Sequence, residues 1–115
     1  MAYEIEGTDE FIQWFDGLSS GEKEPVAAKI DVREELGPGL GRPMVDTVKG
    51  SQYPNMKELR IQHAGRPYRV FFAFNPRRTA ILLIGGCKSG KGFYKRMIPK
   101  ADAVYKHYLK EEGFI

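Results

Sequence analysis

A chain of 115 residues has the size of one domain. Its lone cysteine, Cys87, excludes an intrachain disulfide, and two histidines far apart argue against a Cys/His zinc site. The net charge of +3 hides a split: residues 1–55 carry 5 Lys and Arg against 11 Asp and Glu, and residues 56–115 carry 13 against 4, so the second half suits an anionic partner, nucleic acid first.

In chain order, Ala2–Glu6 alternates as a short first strand. The same N-terminus is acidic and lacks a basic or apolar leader pattern, so a signal peptide is not expected. Thr8 is a good helix N-cap, with Asp9 and Glu10 favourable in the first turn. Phe11, Trp14, Phe15 and Leu18 follow at i, i+3, i+4 and i+7, one apolar face that reads as core. Gly17 and the Ser19–Ser20–Gly21 cluster end this helix. A second helix is predicted from Glu22 to Leu36, with Pro25 near its first turn. Gly37–Asn55 is rich in Gly and Pro and reads as a loop, with Met44, Val45 and Val48 available to pin it to the core.

Three strands come next, Met56–Gln62, Pro67–Phe74 and Thr79–Gly85, joined by the turns HAGR and NPRR into an antiparallel meander. Both faces of Pro67–Phe74 are apolar in the middle, so this strand is expected to be central. Arg69 then lies beside an apolar interior and needs a partner or a cleft; Glu58 is the candidate partner. Phe93–Ile98 reads as a short helical turn, and Pro99 as the first residue of a final helix running to about Glu112, with Gly113 behind it as C-cap. The longest apolar run, Ala80–Ile84, is too short to span a membrane, so a cytoplasmic location with no membrane role follows by default.

The loop Gly85–Gly92 satisfies GxxxxGK, but Gly92 stands where a phosphate-binding loop needs Ser or Thr, and a meander lacks the parallel strand–helix–strand context. Two readings remain: a plain Gly-rich connection, or a loop that lays Lys88 and Lys91 on an RNA backbone. No nucleophile triad is visible around Cys87, His63 or His107. What remains is an array of Lys57, Arg60, Arg69, Lys88 and Tyr94. RNA is cut without a cofactor or metal when its own 2′-hydroxyl attacks the adjacent phosphate, which needs a base, an acid and cations for the phosphorane. Arg suits phosphate, Lys suits proton transfer, and Tyr suits stacking or proton transfer.

The runs GRPMVDTVKGSQYPNMKELR (Gly41–Arg60) and GRPYRVFFAFNPRRTAILLIGGCKSGKGFYKRMIPKAD (Gly65–Asp102) resemble the phage-derived HigB-like toxins of the RelE/ParE superfamily. The resemblance implies an α+β, RelE-like fold: two N-terminal helices packed on a small, mainly antiparallel twisted sheet, plus a C-terminal helix, in one domain. It implies a type II toxin–antitoxin toxin that cleaves mRNA on the ribosome, with a HigA-like helix-turn-helix antitoxin as partner. The alternative it carries is a ParE-like gyrase-binding toxin, or an inactive binding module of the same fold. Arg69 matches the phosphate-binding Arg of these toxins, Lys88 and Tyr94 match their active-site loop, and Lys57 and Arg60 match basic strand positions. Arg66, Arg77, Arg78, Lys91, Lys95 and Arg96 are expected to grip RNA. Cys87 and Tyr53 depart from the family, standing where many relatives have Asp and His.

Overall fold

The structure is a computed structural model and describes residues 4–31 and 45–115. Its elements are β1 (Ile5–Gly7), α1 (Asp9–Asp16), α2 (Ser20–Asp31), β2 (Val45–Thr47), β3 (Lys57–His63), β4 (Arg66–Phe74), β5 (Ala80–Cys87) and α3 (Phe93–Glu111). One five-stranded sheet has the order β1-β5-β4-β3-β2. Only β1 against β5 is parallel; the other pairs are antiparallel. This is the α+β arrangement expected, with β4 central.

Both faces of β4 are covered. Tyr68, Val70 and Phe72 join Phe11, Val26, Leu59 and Ile61 in a core beneath α1 and α2. Phe71 and Ala73 join Ile81, Leu83, Met97 and Tyr105 in a second core beneath α3. Thr8 caps α1 as expected: its hydroxyl accepts from the Phe11 N–H at 3.1 Å and donates toward the Leu82 and Leu83 carbonyls. Helix α1 is thereby tied to β5, some 75 residues later in the chain.

Four local expectations are corrected. Helix α2 starts at Ser20, because Ser19 begins it rather than ending α1. The Ser19 hydroxyl accepts from the Glu22 N–H and the Glu22 carboxylate accepts from the Ser19 N–H, a reciprocal capping box. Pro25 therefore lies inside the helix. The rest of the second helix expected up to Leu36, and Met44, lie outside the described residues. Residues 45–47, read as loop, form the edge strand β2, with Val45 and Val48 buried.

The C-terminal helix is not interrupted at Pro99. Phe93, Met97, Ala101, Tyr105 and Leu109 repeat every four residues and are all buried, so one continuous stripe holds α3 on the sheet. Pro99 falls on the exposed face, where water can serve the carbonyl that its missing N–H leaves free. Glu112 is the C-cap, and Gly113 follows it with φ +77°, donating to Lys110 O while Phe114 N donates to Leu109 O. That is the Schellman pattern of two bonds closing a helix.

The two glycines ending β5 are packing residues. A register shift in β5 opposite Phe71 and Phe72 puts Leu83 and Ile84 into the α3-side core in succession. Gly85 then faces Trp14 and Gly86 faces Phe93. A Cβ on Gly85 would lie 2.4 Å from the Trp14 ring, and one on Gly86 would lie 3.1 Å from Phe93.

Near the start of β4, the Tyr68 hydroxyl donates to the Glu22 carboxylate at 2.6 Å. This bond, with those from Ser19, lowers the Glu22 pKa from 4.5 to about 2. The protonated form is disfavoured in the folded state, so this contribution is complete above the unfolded value and is lost as pH falls through about 2. Unfolding of the Glu22→Gln variant, followed in urea between pH 2 and 5, should show a shallower loss of stability with acid than the parent. Gly85→Ala should destabilise by about 1–3 kcal/mol through overpacking. Adding Trp14→Leu should recover part of that loss in the same urea titration.

Candidate functional site

A cleft of about 380 Å³ opens where β2, β3, the loop after β5 and the start of α3 meet, lined by Asp46, Thr47, Val48, Lys49, Glu58, Arg60, Lys88 and Tyr94. Strand alternation puts Glu58 and Arg60 on one face of β3. Pairing across β3–β4 sets Arg60 directly opposite Arg69. Two guanidiniums side by side repel. Glu58, two residues from Arg60 on the same face, supplies the compensating charge.

Glu58 is 4% exposed and Arg69 is 9% exposed. The Arg69 Nε lies 3.2 Å from Glu58 Oε1, so the pairing expected for this arginine is present. Its other end donates to the Tyr68 carbonyl at 3.0 Å. The Tyr94 hydroxyl donates to Glu58 at 2.6 Å and accepts a longer bond from Arg69 Nε at 3.4 Å. Burial first, then the Glu58 bond, raise the Tyr94 pKa above its ordinary value, with Arg69 opposing. Tyr94 thus keeps its hydroxyl proton and uses it as a hydrogen-bond donor to Glu58.

Arg60 is more open, with about a third of its side chain exposed. It pairs with Asp46 at 3.1 Å and lies 3.9 Å from Glu58. Its Nε is buried and has no hydrogen-bond partner among the described residues, whereas its terminal nitrogens reach the cleft. Lys88 stacks its ammonium over the Tyr94 ring, 5.2 Å from the centroid. Its backbone N–H donates to Pro67 O, which fixes the start of the loop against β4. Gly90 and Gly92 have φ of +74° and +81°, so the loop turns where glycine is needed.

Of the five residues predicted as an array, Arg60, Arg69, Lys88 and Tyr94 come together. Lys57 does not. It is three residues from Arg60 on a strand, hence on the opposite face, and its ammonium donates to Thr47 Oγ1 at 3.2 Å. Among the expected RNA-gripping residues, Lys91, Lys95 and Arg96 are exposed on the loop and first turns of α3, and Arg66 lies at the β3–β4 turn. Arg77 and Arg78 occupy the β4–β5 turn at the other end of β4, roughly 26 Å from Arg66 at the rise of a strand. Arg77 there covers the Phe114 ring. Cys87 packs on the core beneath α1 and α2.

Sequence reasoning gave Glu58 only a structural part, although its i, i+2 spacing to Arg60 marks a shared face. Asp46 and Lys49 reach the cleft through the β2–β3 pairing, for which no local signal existed. Among the described residues no group of three or more His, Cys, Asp or Glu is placed to hold a metal, and no helix is long and apolar enough to cross a membrane.

Removing the central carboxylate leaves a buried guanidinium unpaired. Glu58→Ala should lower the unfolding free energy by about 3–5 kcal/mol. Glu58→Leu combined with Arg69→Met should restore most of it. Urea titration of the single and double variants measures the coupling.

Residues 13–106 match the family described as phage-derived Gp49-like protein. Two Mycobacterium tuberculosis proteins carrying the toxin names HigB2 and HigB3 are each 46% identical to the chain. The match covers 85% of this chain and 50% of HigB2, and 87% of this chain and 88% of HigB3. The chain thus spans about half the length of one of these relatives and most of the other. It belongs to the phage-derived Gp49-like family and is a homologue of the HigB toxins.

Proposed function

We propose that this protein is the toxin of a type II toxin–antitoxin pair and acts as a ribosome-dependent mRNA endoribonuclease. The observation that carries the reading is the convergence of Arg60, Arg69 and Lys88 on one Glu58–Tyr94 pair in an open cleft. The HigB relationship supports it.

In the reaction, the RNA 2′-oxygen forms a bond to the adjacent phosphorus and the bond from phosphorus to the 5′-oxygen breaks. The products are a 2′,3′-cyclic phosphate and a 5′-hydroxyl. A base accepts the 2′ proton, and an acid supplies one to the departing oxygen. Arg60 binds the scissile phosphate through its exposed terminus, with Arg69 behind it stabilising charge on phosphorus. The phosphate competes with Glu58 for both arginines. The carboxylate this frees takes the 2′ proton, the role for which the sequence had offered a lysine. Lys88, at the cleft mouth over Tyr94, donates to the leaving oxygen, and Tyr94 orients the nucleotide. The ribosome presents the mRNA, and a HigA-like helix-turn-helix antitoxin restrains the toxin. No cofactor is invoked.

The test is mapping of mRNA 5′ ends after induction from a tightly repressed promoter, beside Lys88→Ala and Glu58→Gln. Lys88→Ala leaves the buried Glu58–Arg69 pair intact, which Arg69→Ala would break, and Glu58→Gln keeps a side-chain oxygen to accept from Arg69 and Tyr94. New ends at translated codons in the parent, reduced about 10²- to 10⁴-fold in both variants, are expected. Growth arrest without cuts, with gyrase supercoiling inhibited by the purified protein, would replace this reading with a ParE-like one. Absence of arrest would leave a binding module.

A further inference from the structure

Helix α3 presents a cationic face that neither the cleft nor the core uses. From Phe93 to Lys110 every exposed charged residue is basic: Lys95, Arg96, Lys100, Lys106 and Lys110. At 100° per residue these fall within one half of the helix surface, and the positions between them are Pro99, Ala103 and His107. The one acid in that stretch, Asp102, turns inward, where it accepts from the Ser51 hydroxyl and the Gln52 N–H. None of the four lysines has an acidic partner among the described residues; Arg96 lies over the Phe93 ring.

Folding does not call for this pattern. Arg96 and Lys100, and Lys106 and Lys110, are like charges at i, i+4, where an opposite charge stabilises a helix and a like charge destabilises it. Lys95 and Arg96 stand at the N-terminal end, where the helix dipole favours acids, and the first turn contains no acid. The stripe starts beside Tyr94 in the cleft and runs roughly 22 Å to Lys110. An acidic concavity of about 320 Å³ adjoins the far end of the stripe, where Glu111 lies 3.3 Å from His107 and Glu6, Asp9, Glu10 and Glu112 complete the wall.

Resting on the RNA-directed reading above, we propose that the outer face of α3 docks on a double-helical segment of structured RNA. The chemistry selects this partner. The stripe has no exposed aromatic residue, so it lacks the stacking platform that grips single strands. It has no apolar anchor either, which a protein partner would need at the centre of an interface. The apolar side of α3 is committed to the core, which leaves no face to enter a lipid surface. A straight row of cations on a convex rod touches phosphates and 2′-hydroxyls across a groove without reading bases. Cleft and stripe are continuous, so docking on a duplex sets the angle at which a strand enters the cleft.

The test is fluorescence anisotropy with a labelled RNA hairpin of about 16 base pairs, the span of duplex that a shape-reading module covers, titrated with the full chain from about 50 to 200 mM KCl. The triple variant Lys100→Gln/Lys106→Gln/Lys110→Gln should bind at least about tenfold more weakly at the lower salt. Its plot of log affinity against log salt should be shallower by about two to three, near one for each phosphate left without its lysine. The matching Lys→Arg triple should bind like the parent. Anisotropy reads binding whether or not the chain cuts RNA, so failure of the nuclease reading is scored separately in the 5′-end mapping. Equal affinity and equal slope in the Gln triple would overturn the proposal. So would weakened binding in the Arg triple, or a defect confined to a polyglutamate peptide, which would assign the face to an acidic protein.

Discussion

One buried carboxylate holds the functional end of this protein together. Glu58 lies between Arg69 at 3.2 Å and Arg60 at 3.9 Å and takes the Tyr94 hydroxyl at 2.6 Å. It thereby joins β3, β4 and the first turn of α3. Burying a charge is costly unless it is paired and hydrogen-bonded. The cost is met by two guanidiniums and a hydroxyl that all face the same carboxylate. The unliganded protein thus stores two arginines against the sheet without exposing a bare cationic pocket. The same arrangement explains how Arg60 and Arg69 can stand directly opposite each other on adjacent strands.

The glycine-rich loop shows how the physical origin of a motif can differ from its appearance. Its glycines fall into two pairs. Gly85 and Gly86 are flat spots in β5 against which Trp14 and Phe93 lie, whereas Gly90 and Gly92 supply positive φ. The resemblance to a phosphate loop arises because packing and turning happen to need glycine at neighbouring positions. Lys88 is left between the two pairs, held by its N–H on Pro67 and projecting over Tyr94.

Much of this was legible in the sequence. The strand runs of β3, β4 and β5 between their turns, the Thr8 cap and the aromatic spacing of α1 are strong local signals, and each appears in the structure. So does the pairing of Arg69 with Glu58, because an arginine on an apolar strand has few other solutions. The failures share a cause, since local punctuation is overruled by tertiary contacts. Ser19 looks like a terminator until Glu22 reaches back to cap it. Pro99 looks like a helix start until the four-residue stripe from Phe93 to Leu109 carries the helix past it. Strand β2 is only three residues long and exists because β3 offers an edge. Lys57 was grouped with Arg60 by charge, although period-2 geometry alone separates them.

The parallel pairing of β1 with β5 has a consequence for when the cleft is assembled. Ile5 lies beside Ala80, and the Thr8 side chain bonds carbonyls at Leu82 and Leu83. The first strand therefore has no sheet to join until the chain has grown past residue 80, and the usual order in which N-terminal parts fold first during synthesis is closed to it. The cleft is later still, because Tyr94 arrives on α3, and Asp102 on the same helix fastens the Ser51–Gln52 turn. Loop closure over such separations is slow relative to local helix formation. The cleft is thus absent from a growing chain and is complete only when the last helix closes on the sheet.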